Sequence, residues 1–541
     1  MNRQIRRLTI AIMLCYLALF AQLNRVQIFD AQALRDNPDN TRDVLANYSR
    51  PRGTVSTIDG AVVARSVEVD TPLQRQREYP EADLFAQVSG FFSLHYGSTG
   101  VEQVYDEELA GQTPELELES LSDLFVDRDR SGSVVLSLRS DVQRVARDAL
   151  GEREGSVVAL DPRSGEILAL WSWPSYDPNL ISAPDIERAS EARSLYLLDP
   201  ADPMLGRAYQ ERYFPGSSFK VVVSAAGLES GRVTMDEPSY EPVSSWTPPL
   251  TTRPITNAGG AVCGGTLAEI LRVSCNTAFA EMGALTLGPE VLAEGAEGFG
   301  FNGRPPIDLP APARSVFPTD YGEPLSTPDL DDPDPDVAGT VYENTPALAQ
   351  AAIGQHDVAA TPLQMALVAA GVANGGVIME PRVVHEIRNA DGDLVERLQP
   401  SAWRQAMSPS NAAALRQAMI GVVTGGTAWR MAIPGYEVGG KTGTARVAED
   451  VTSTHAWIVG FAGPQGETPH VAVAVVVLAD EDVGEQAGGR VAAPVARAVL
   501  ERALSPASPV RVDDPPDPSP DGAPDDAPDD APDDAPDDAP E

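Results

Sequence analysis

The first strong pattern along the chain is an apolar run near its amino terminus. The segment MNRQIRR, with three arginines, precedes LTIAIMLCYLALFAQL, which carries no charge. Arginines ahead of such a run place its first end in the cytoplasm, and residues 26–29, with Arg25 snorkelling, would extend it to membrane length. We therefore predict cytoplasmic residues 1–7, a transmembrane anchor at 8–29 and an extracytoplasmic remainder. Cleavage as a signal peptide at Ala31-Gln32-Ala33 is the alternative.

Alternating apolar and polar positions follow in residues 48–66, YSRPRGTVSTIDGAVVARS. The alternation surrounds Asp59-Gly60, a dipeptide typical of tight turns, and so predicts a β-hairpin. Farther along, SVVLSL has strand character, and residues 141–150, DVQRVARDAL, have the spacing of an amphipathic helix. These elements predict a β-rich module at residues 30–150.

Longer apolar segments lie at both ends of the region that follows. GSVVALDPRSGEILALWSWP (155–174) predicts two strands joined by a turn, and residues 455–463 with 470–480 predict another strand pair. An amphipathic helix is expected at 489–504, and alanine-rich helices such as 360–376 lie between. We predict one large α+β domain at 151–505, whose sheet joins strands from both of its sequence ends. The segment TPDLDDPDPD (327–336) is expected to be a surface loop.

Charge narrows the set of partners. The 541 residues include 79 acidic and 40 basic side chains, a net charge of −39, which would repel a nucleic acid backbone. From Val512 onward there are twelve Asp, one Glu and no basic residue, mostly in APDD repeats. Such a composition cannot form a packed core. Residues 506–541 are therefore predicted to be a disordered acidic tail, with a solvated spacer favoured over a specific binding element.

The three cysteines and five histidines bear on metals and disulfides. Cys15 lies in the apolar run. Cys263 and Cys275 lie in the part predicted to be exported, where oxidation is permitted, and their spacing allows a disulfide without requiring one. Histidine and cysteine do not cluster at metal-ligand spacing, so neither a metal site nor another cofactor is expected.

Lysine is rare: the chain has two, Lys220 and Lys441, against 38 arginines. Codon bias could explain the rarity, but lysine can lose its proton where arginine cannot. Lys220 lies in PGSSFKVVVSAAGLES, where Pro215-Gly216 predicts a turn and the remainder predicts a buried helix. On that helix Ser217 and Lys220 share a face, so the amine could take the hydroxyl proton and make Ser217 a nucleophile. Serine stands at this spacing by chance often enough that the pair is weak evidence alone.

Lys441 lies in VGGKTGTARV, between glycines that permit close backbone approach. On a strand we expect one face to present its ammonium together with the Thr442 and Thr444 hydroxyls, as a receptor for a substrate carboxylate. A second lysine near Lys220 would also lower the pKa of Lys220 by repulsion. GYEVGGKT fits the phosphate-loop pattern as well, but the following ARVAEDVTST does not predict the helix that such a loop requires.

A third motif lies between the two lysines, in RVSCNTAFAEMGA. The Ser274 hydroxyl could relay a proton while the Asn276 amide orients a substrate carbonyl. The alternative is a purely structural role, in which the Ser-x-Asn motif caps a helix.

Ser-x-x-Lys, Ser-x-Asn and Lys-Thr-Gly occur in this order, a set shared by penicillin-binding proteins and class A β-lactamases. The chain resembles class B penicillin-binding proteins, especially the penicillin-binding protein A type of actinobacteria. The resemblance extends to about residue 505 and includes the segments 97–111, GSTGVEQVYDEELAG, 165–179, GEILALWSWPSYDPN, and 353–376. His356 stands where that family usually has glycine, and Ser56 and Thr57 also depart from the family pattern.

The resemblance implies roles for the motif residues. Ser217 would be the acylated nucleophile and Lys220 its general base, and the other two motifs would handle proton transfer and the substrate. The residues implied in these functions are Ser274 and Asn276, for proton transfer and peptide binding, and Lys441, Thr442, Gly443 and Thr444, for the terminal carboxylate. The backbone N–H groups of Ser217 and Thr444 would form the oxyanion hole.

The resemblance also implies a fold and partners. An antiparallel sheet with helices on both sides would follow a β-rich pedestal and a single membrane anchor. The expected activity is D,D-transpeptidation of peptidoglycan stem peptides in growth or division, with β-lactams acylating the same serine. A separate glycosyltransferase of the SEDS type is implied. A D,D-carboxypeptidase, a serine β-lactamase and a non-catalytic β-lactam-binding scaffold are alternatives, and the acceptor amine and oligomeric state stay open.

Overall fold

A computed structural model describes residues 2–25, 48, 50–70, 73–117, 129–327, 339–447, 453–480 and 483–507. The end of the predicted anchor (26–29), most of the predicted 327–336 loop and the tail from residue 508 lie outside these ranges. In the described part, one helix is long and apolar enough to cross a membrane, the Arg3–Asn24 portion of the first helix, and none of it is buried against the protein.

The strands as far as the first buried hairpin are β1 (Val55–Thr57), β2 (Val62–Glu68), β3 (Arg75–Glu78), β4 (Phe92–Ser93), β5 (Gly97–Ser98), β6 (Ser133–Leu136), β7 (Gly155–Leu160) and β8 (Ile167–Trp173). The later strands are β9 (Tyr240–Val243), β10 (Ser245–Trp246), β11 (Ile255–Thr256), β12 (Cys263–Gly265), β13 (Pro324–Ser326), β14 (Val341–Tyr342), β15 (Val377–Met379), β16 (Val384–Arg388), β17 (Leu394–Arg397), β18 (Ala402–Gln405), β19 (Tyr436–Arg446), β20 (Thr454–Pro464) and β21 (Val471–Val477).

The helices up to the nucleophile motif are α1 (Asn2–Asn24), α2 (Ala86–Ser89), α3 (Gly100–Val104), α4 (Asp106–Leu109), α5 (Pro114–Glu117), α6 (Ser140–Leu150), α7 (Pro178–Ile181), α8 (Ile186–Leu198) and α9 (Arg207–Gln210). The later helices are α10 (Lys220–Glu229), α11 (Leu267–Val273), α12 (Asn276–Glu281), α13 (Gly288–Gly298), α14 (Thr345–Ala351), α15 (Pro362–Ala373), α16 (Pro409–Gly425) and α17 (Gly488–Leu504). Four 3₁₀ turns and one π-helical segment also occur in the described ranges: Ala82–Phe85, Gly216–Phe219, Ala258–Gly260, Met282–Leu287 and Trp429–Met431.

The larger sheet has five antiparallel strands in the order β19-β20-β21-β7-β8. It therefore joins strands from the two ends of the large domain, as the apolar segments predict. Every residue of β7 and β21 is buried. Since successive side chains of a strand point to opposite faces, both faces of the sheet are covered. Helix α15 packs against β7, β20 and β21, while α6 and α17 pack against each other and against β8, β20 and β21.

The second sheet has six strands in the order β17-β16-β6-β1-β2-β3. The hairpin predicted around Asp59-Gly60 is confirmed, because β1 and β2 pair antiparallel across this turn. The chain returns to this sheet late: β16 pairs with β6, and β17 then pairs with β16. These two strands cover an edge of β6 that would otherwise present unpaired backbone groups.

A group of charges lies beside the second sheet, and all but Asp106, which is half exposed, are buried. We call Arg52, Arg77, Glu102 and Asp106 the Glu102 cluster. The two Glu102 oxygens each accept a 2.6 Å hydrogen bond, one from Arg52 Nε and one from Arg77 Nε. Arg52 also donates to Asp106 Oδ1 at 2.7 Å. Burial raises the pKa of Glu102, but the two guanidiniums outweigh this effect, so its pKa lies below the ordinary value. Glu102 is therefore a buried anion neutralised by two fixed cations.

Candidate active site

The nucleophile motif begins with a tight turn. Gly216–Phe219 form one turn of 3₁₀ helix that runs into α10, which begins at Lys220. Gly216 has a φ of +53°, and a Cβ there would lie 2.5 Å from Thr444 O. Only glycine fits this close approach, which brings the backbone of Ser217 beside the Lys-Thr-Gly strand. The helix predicted for this segment is confirmed, with a 3₁₀ first turn.

Lys220 is completely buried at the start of α10, and Ser217 is half-buried three residues earlier. Its Nζ donates to Ser274 O at 2.9 Å and to Asn276 Oδ1 at 2.7 Å. Within the described residues, Nζ makes no hydrogen bond with Ser217 Oγ, a contact that often tightens only when substrate binds. Burial and then the charge of Lys441 lower the pKa of Lys220 well below its ordinary value.

Ser274 lies between the two lysines. It ends α11 in a left-handed conformation, with a φ of +62°, so that its carbonyl and its hydroxyl can face different partners. The carbonyl accepts from Lys220 Nζ, and Oγ accepts from Lys441 Nζ at 2.7 Å. The contact through the backbone carbonyl could not be predicted from the side-chain pattern.

Asn276 is the first residue of α12, and its side chain does not cap that helix. Its Oδ1 accepts from Lys220, while its Nδ2 donates to Thr256 O at 2.9 Å. The helix-cap alternative for this motif is therefore wrong, because the amide is committed to the lysine and to a neighbouring strand.

Lys441 is completely buried on β19, where Nζ also donates to Thr442 O at 2.8 Å. Burial lowers the pKa of Lys441 to about 7. A strand also rules out the phosphate-loop alternative for GYEVGGKT, since that motif needs a loop leading into a helix.

The predicted single face with an ammonium and two hydroxyls is wrong, because side chains alternate along a strand. Lys441 and Gly443 face the nucleophile turn: a Cβ on Gly443 would lie 2.7 Å from Pro215 O. Thr442 and Thr444 take the opposite side, where Thr442 Oγ1 lies 2.7 Å from Thr427 Oγ1.

Two further residues support the site without having been predicted. Thr427 holds the Thr442 hydroxyl from the chain that follows α16. Trp457, fully buried on β20, donates from Nε1 to Phe214 O at 3.0 Å and so fixes the approach to the nucleophile turn. Neither residue belongs to a recognisable sequence motif. Each supports the site through a contact with a residue far away in the sequence.

His356 lies in a loop that contacts the nucleophile turn. Gly354 O accepts from Gly216 N at 2.9 Å. His356 follows two residues later with a φ of +60°, a region that glycine enters freely and that other residues enter uncommonly. A glycine at this position, which the resemblance implies for the family, would adopt this conformation without strain.

Cys263 and Cys275, which the sequence left open, are joined by a disulfide. The bond ties β12 to the residue that separates Ser274 from Asn276. It therefore links the Ser-x-Asn turn to the neighbouring strand.

Comparison with known proteins accounts for nearly all of the chain. Residues 155–501 match the family model of the penicillin binding protein transpeptidase domain, and residues 52–135 match the penicillin binding protein A dimerisation domain. Peptidoglycan D,D-transpeptidase PbpA of Mycolicibacterium smegmatis is 39% identical over 94% of this chain and all of its own length. The protein of that name from Mycobacterium tuberculosis is 37% identical over 93% of this chain and 99% of its own.

Solved structures agree with these relatives. The ceftriaxone acyl-enzyme complex of penicillin-binding protein A from M. tuberculosis superposes with a TM-score of 0.74, at 36% identity over 85% of this chain and all of that one. The penicillin G acyl-enzyme complex of the same protein superposes with a TM-score of 0.72. The chain therefore belongs to the class B penicillin-binding proteins, the peptidoglycan D,D-transpeptidases of cell-wall synthesis, and to their penicillin-binding protein A type.

Proposed function

We propose that Ser217 carries the acyl group in this D,D-transpeptidase and that Lys220 is its general base. One observation carries the proposal: both lysines of the chain are buried, converge on Ser274 and have no ion-pair partner among the described residues. A buried amine without a carboxylate partner is readily kept neutral, and a neutral amine can accept the hydroxyl proton.

The reaction then has two halves. Ser217 Oγ attacks the carbonyl carbon of the terminal D-Ala-D-Ala bond as its proton passes to Lys220 Nζ. The C–N bond breaks, and the departing D-alanine amine takes up this proton from Lys220, relayed by the Ser274 hydroxyl, which leaves Lys220 neutral again. In the second half, the amine of another stem peptide gives a proton to Lys220 as it attacks the ester carbonyl. The cross-link forms, the ester C–O bond breaks, and Lys220 passes that proton to Ser217 Oγ. Asn276 Oδ1 holds Lys220, and the second Nδ2 hydrogen, which Thr256 O does not take, would bind the peptide.

Substrate binding is proposed to centre on β19. Peptidoglycan peptides and β-lactams, the ligands of this family, share a carboxylate at the same end. Strand β19 is an edge strand of the larger sheet, so a carboxylate at this edge can be reached from both faces of the strand. Lys441, when charged, and Gly443 would bind it from one face, and Thr442 and Thr444 from the other. The backbone N–H groups of Ser217 and Thr444 would stabilise the oxyanion. The contact between Gly216 and Thr444 supports this assignment, because it brings the two backbones together.

We also infer the topology and domain limits expected from the sequence: cytoplasmic residues 1–7, an anchor at 8–29, a pedestal at 30–150, an extracytoplasmic transpeptidase domain at 151–505 and a tail at 506–541. The apolar α1 supports membrane attachment. The Cys263–Cys275 disulfide supports an oxidising compartment for the catalytic domain. A separate SEDS-type glycosyltransferase would supply the glycan strands.

The test is labelling with a fluorescent penicillin, followed by peptide mapping. We expect a long-lived adduct on Ser217 that is absent in Ser217→Ala. The matched control is Ser218→Ala, which removes the adjacent hydroxyl and its hydrogen bond to Pro215 O and should leave the adduct in place. An adduct elsewhere, or none on folded protein, would overturn the proposal, and rapid release of hydrolysed drug would indicate a β-lactamase instead.

A second assay separates transpeptidation from carboxypeptidation. With stem-peptide donor and a peptide amine present, we expect D-alanine release to match cross-link formation. Release of D-alanine without cross-links would identify water as the acceptor and favour the carboxypeptidase alternative.

A further inference from the structure

Asn257, which belongs to none of the three motifs, lies next to the Ser-x-Asn turn. It follows β11 and is 6% exposed. Its Oδ1 accepts from Asn276 N at 2.8 Å and from Thr277 N at 3.0 Å. These are the first two N–H groups of α12, which cannot bond within the helix.

The residue at the N-cap position of α12 is Cys275, whose sulfur is in the disulfide and which makes no side-chain cap. Asn257, nearly twenty residues earlier in the chain, therefore caps α12 in place of Cys275. Its own position is fixed by Nδ2, which donates to Val243 O at 2.9 Å and Ala261 O at 3.0 Å. These donor contacts also determine which end of the amide faces the helix.

The residue before Asn257 orients the catalytic amide. Thr256 O accepts from Asn276 Nδ2 at 2.9 Å, which leaves Asn276 Oδ1 to face Lys220 Nζ at 2.7 Å. The 256–257 segment therefore holds Asn276 twice, by its backbone N–H through the Asn257 side chain and by its side chain through the Thr256 carbonyl.

We propose that Asn257 is a positioning residue for acylation, which acts by holding Asn276 so that its Oδ1 directs Lys220. The proposal rests on the proposed role of Lys220 as base. A neutral lysine amine has two N–H donors and one lone pair. When Ser274 O and Asn276 Oδ1 occupy both donors, the lone pair points away from them and is available to the Ser217 hydroxyl. If Asn276 shifts, the amine can rotate and the lone pair is directed less often at the nucleophile.

The test compares two substitutions at one position. Asn257→Ala removes the acceptor for the α12 N–H groups, and Asn257→Asp keeps it. Both lose the donors to Val243 O and Ala261 O, so both should unfold at a lower temperature than the wild type. Acylation by a fluorescent penicillin is resolved into the dissociation constant of the initial complex and the first-order acylation rate constant.

For Asn257→Ala we expect the rate constant to fall by about 10- to 100-fold, the size of effect that follows a small misplacement of a catalytic group. The dissociation constant should change by less than about threefold, since the buried Asn257 side chain is bonded to backbone groups of the protein. Asn257→Asp should keep the rate constant within about fivefold of wild type. The matched control is Asn179→Ala, which removes a comparable pair of side-chain bonds to Tyr79, a residue outside the proposed site, and should lower stability alone.

A wild-type rate in Asn257→Ala, or equal losses in the Ala and Asp variants, would overturn the proposal. If Asn257→Ala does not fold, Asn257→Ser replaces it, because serine is too short to reach both N–H groups and the same loss of rate is expected. An adduct on Ser217 in the wild type with no effect of Asn257 refutes this inference alone. Absence of that adduct refutes the proposed function.

Discussion

Two regions bury charged side chains, and they treat the charge in opposite ways. In the Glu102 cluster a buried carboxylate lies between Arg52 and Arg77, and its pKa is lowered, so it stays charged. At the active site Lys220 and Lys441 lie together without a carboxylate within the described ranges, and both pKa values are lowered, so each amine readily loses its proton. The first region keeps its charges fixed, and the second keeps them variable.

The difference explains where the chain uses lysine. Arginine stays protonated in proteins, which suits a permanent pair such as the one around Glu102. Lysine can titrate, which suits a base. At Lys441 the 2.7 Å contact from Nζ to Ser274 Oγ suits a compact ammonium better than a planar guanidinium.

The largest expected effect, and the sharpest test of the comparison between the two regions, comes from Lys220→Arg. The substitution keeps the charge and removes the base, so the acylation rate constant should fall by about a thousandfold. Arg77→Lys in the Glu102 cluster is the matched control and should leave that rate unchanged. Burst labelling with a fluorescent penicillin measures both. Retained acylation in Lys220→Arg would show that the lysine is not the base.

Glu102→Gln should have the next largest effect, on stability instead of rate. It leaves two buried guanidiniums without their anion, which should lower the free energy of unfolding by about 3–5 kcal/mol. Denaturant unfolding measures this loss, and the folded variant should acylate within about twofold of wild type. If stability is unchanged, the cluster is solvated and does not resemble a buried ion pair.

The smallest of the three effects is expected from pH. The acylation rate should pass through a maximum and fall by about tenfold per pH unit on the acidic and on the basic side. The rate should fall as pH drops through the lowered pKa of Lys220, because the base becomes protonated. It should also fall as pH rises through about 7, because Lys441 loses the charge that binds carboxylate. The second-order rate constant reports these groups in the free enzyme. A rate that keeps rising from pH 7 to pH 9 would contradict the need for a charged Lys441.

Much of the fold could be predicted because its strands are long and apolar. The hairpin of residues 155–174 and the strand pair near residues 455–480 stand out by periodicity alone. The return of β16 and β17 to the second sheet could not be predicted, since these short, partly exposed strands give a weak pattern and the pairing of β16 with β6 is a long-range contact.

The identity of the site residues could be predicted from the sequence, but the directions in which their side chains point could not. The three motifs and the rarity of lysine identify Ser217, Lys220 and Lys441. The arrangement of Lys441 and Thr442 on one face was wrong, because strand alternation separates neighbours. The capping of α12 by Asn257 has no signal in the sequence, because it depends on a loop folding back onto a helix.

The order of strands in the larger sheet has a consequence for biosynthesis. Strand β7 is apolar and buried along its length, and its second neighbour, β21, begins only at Val471. About 300 residues are made between them, which takes about 15–60 s at ordinary elongation rates. During that time the nascent β7–β8 hairpin exposes an unpaired apolar edge, which can pair with another chain and cause aggregation. A chain stopped before β21 contains both Ser217 and Lys441. It lacks, however, the strand that joins the β7–β8 pair to the β19–β20 pair.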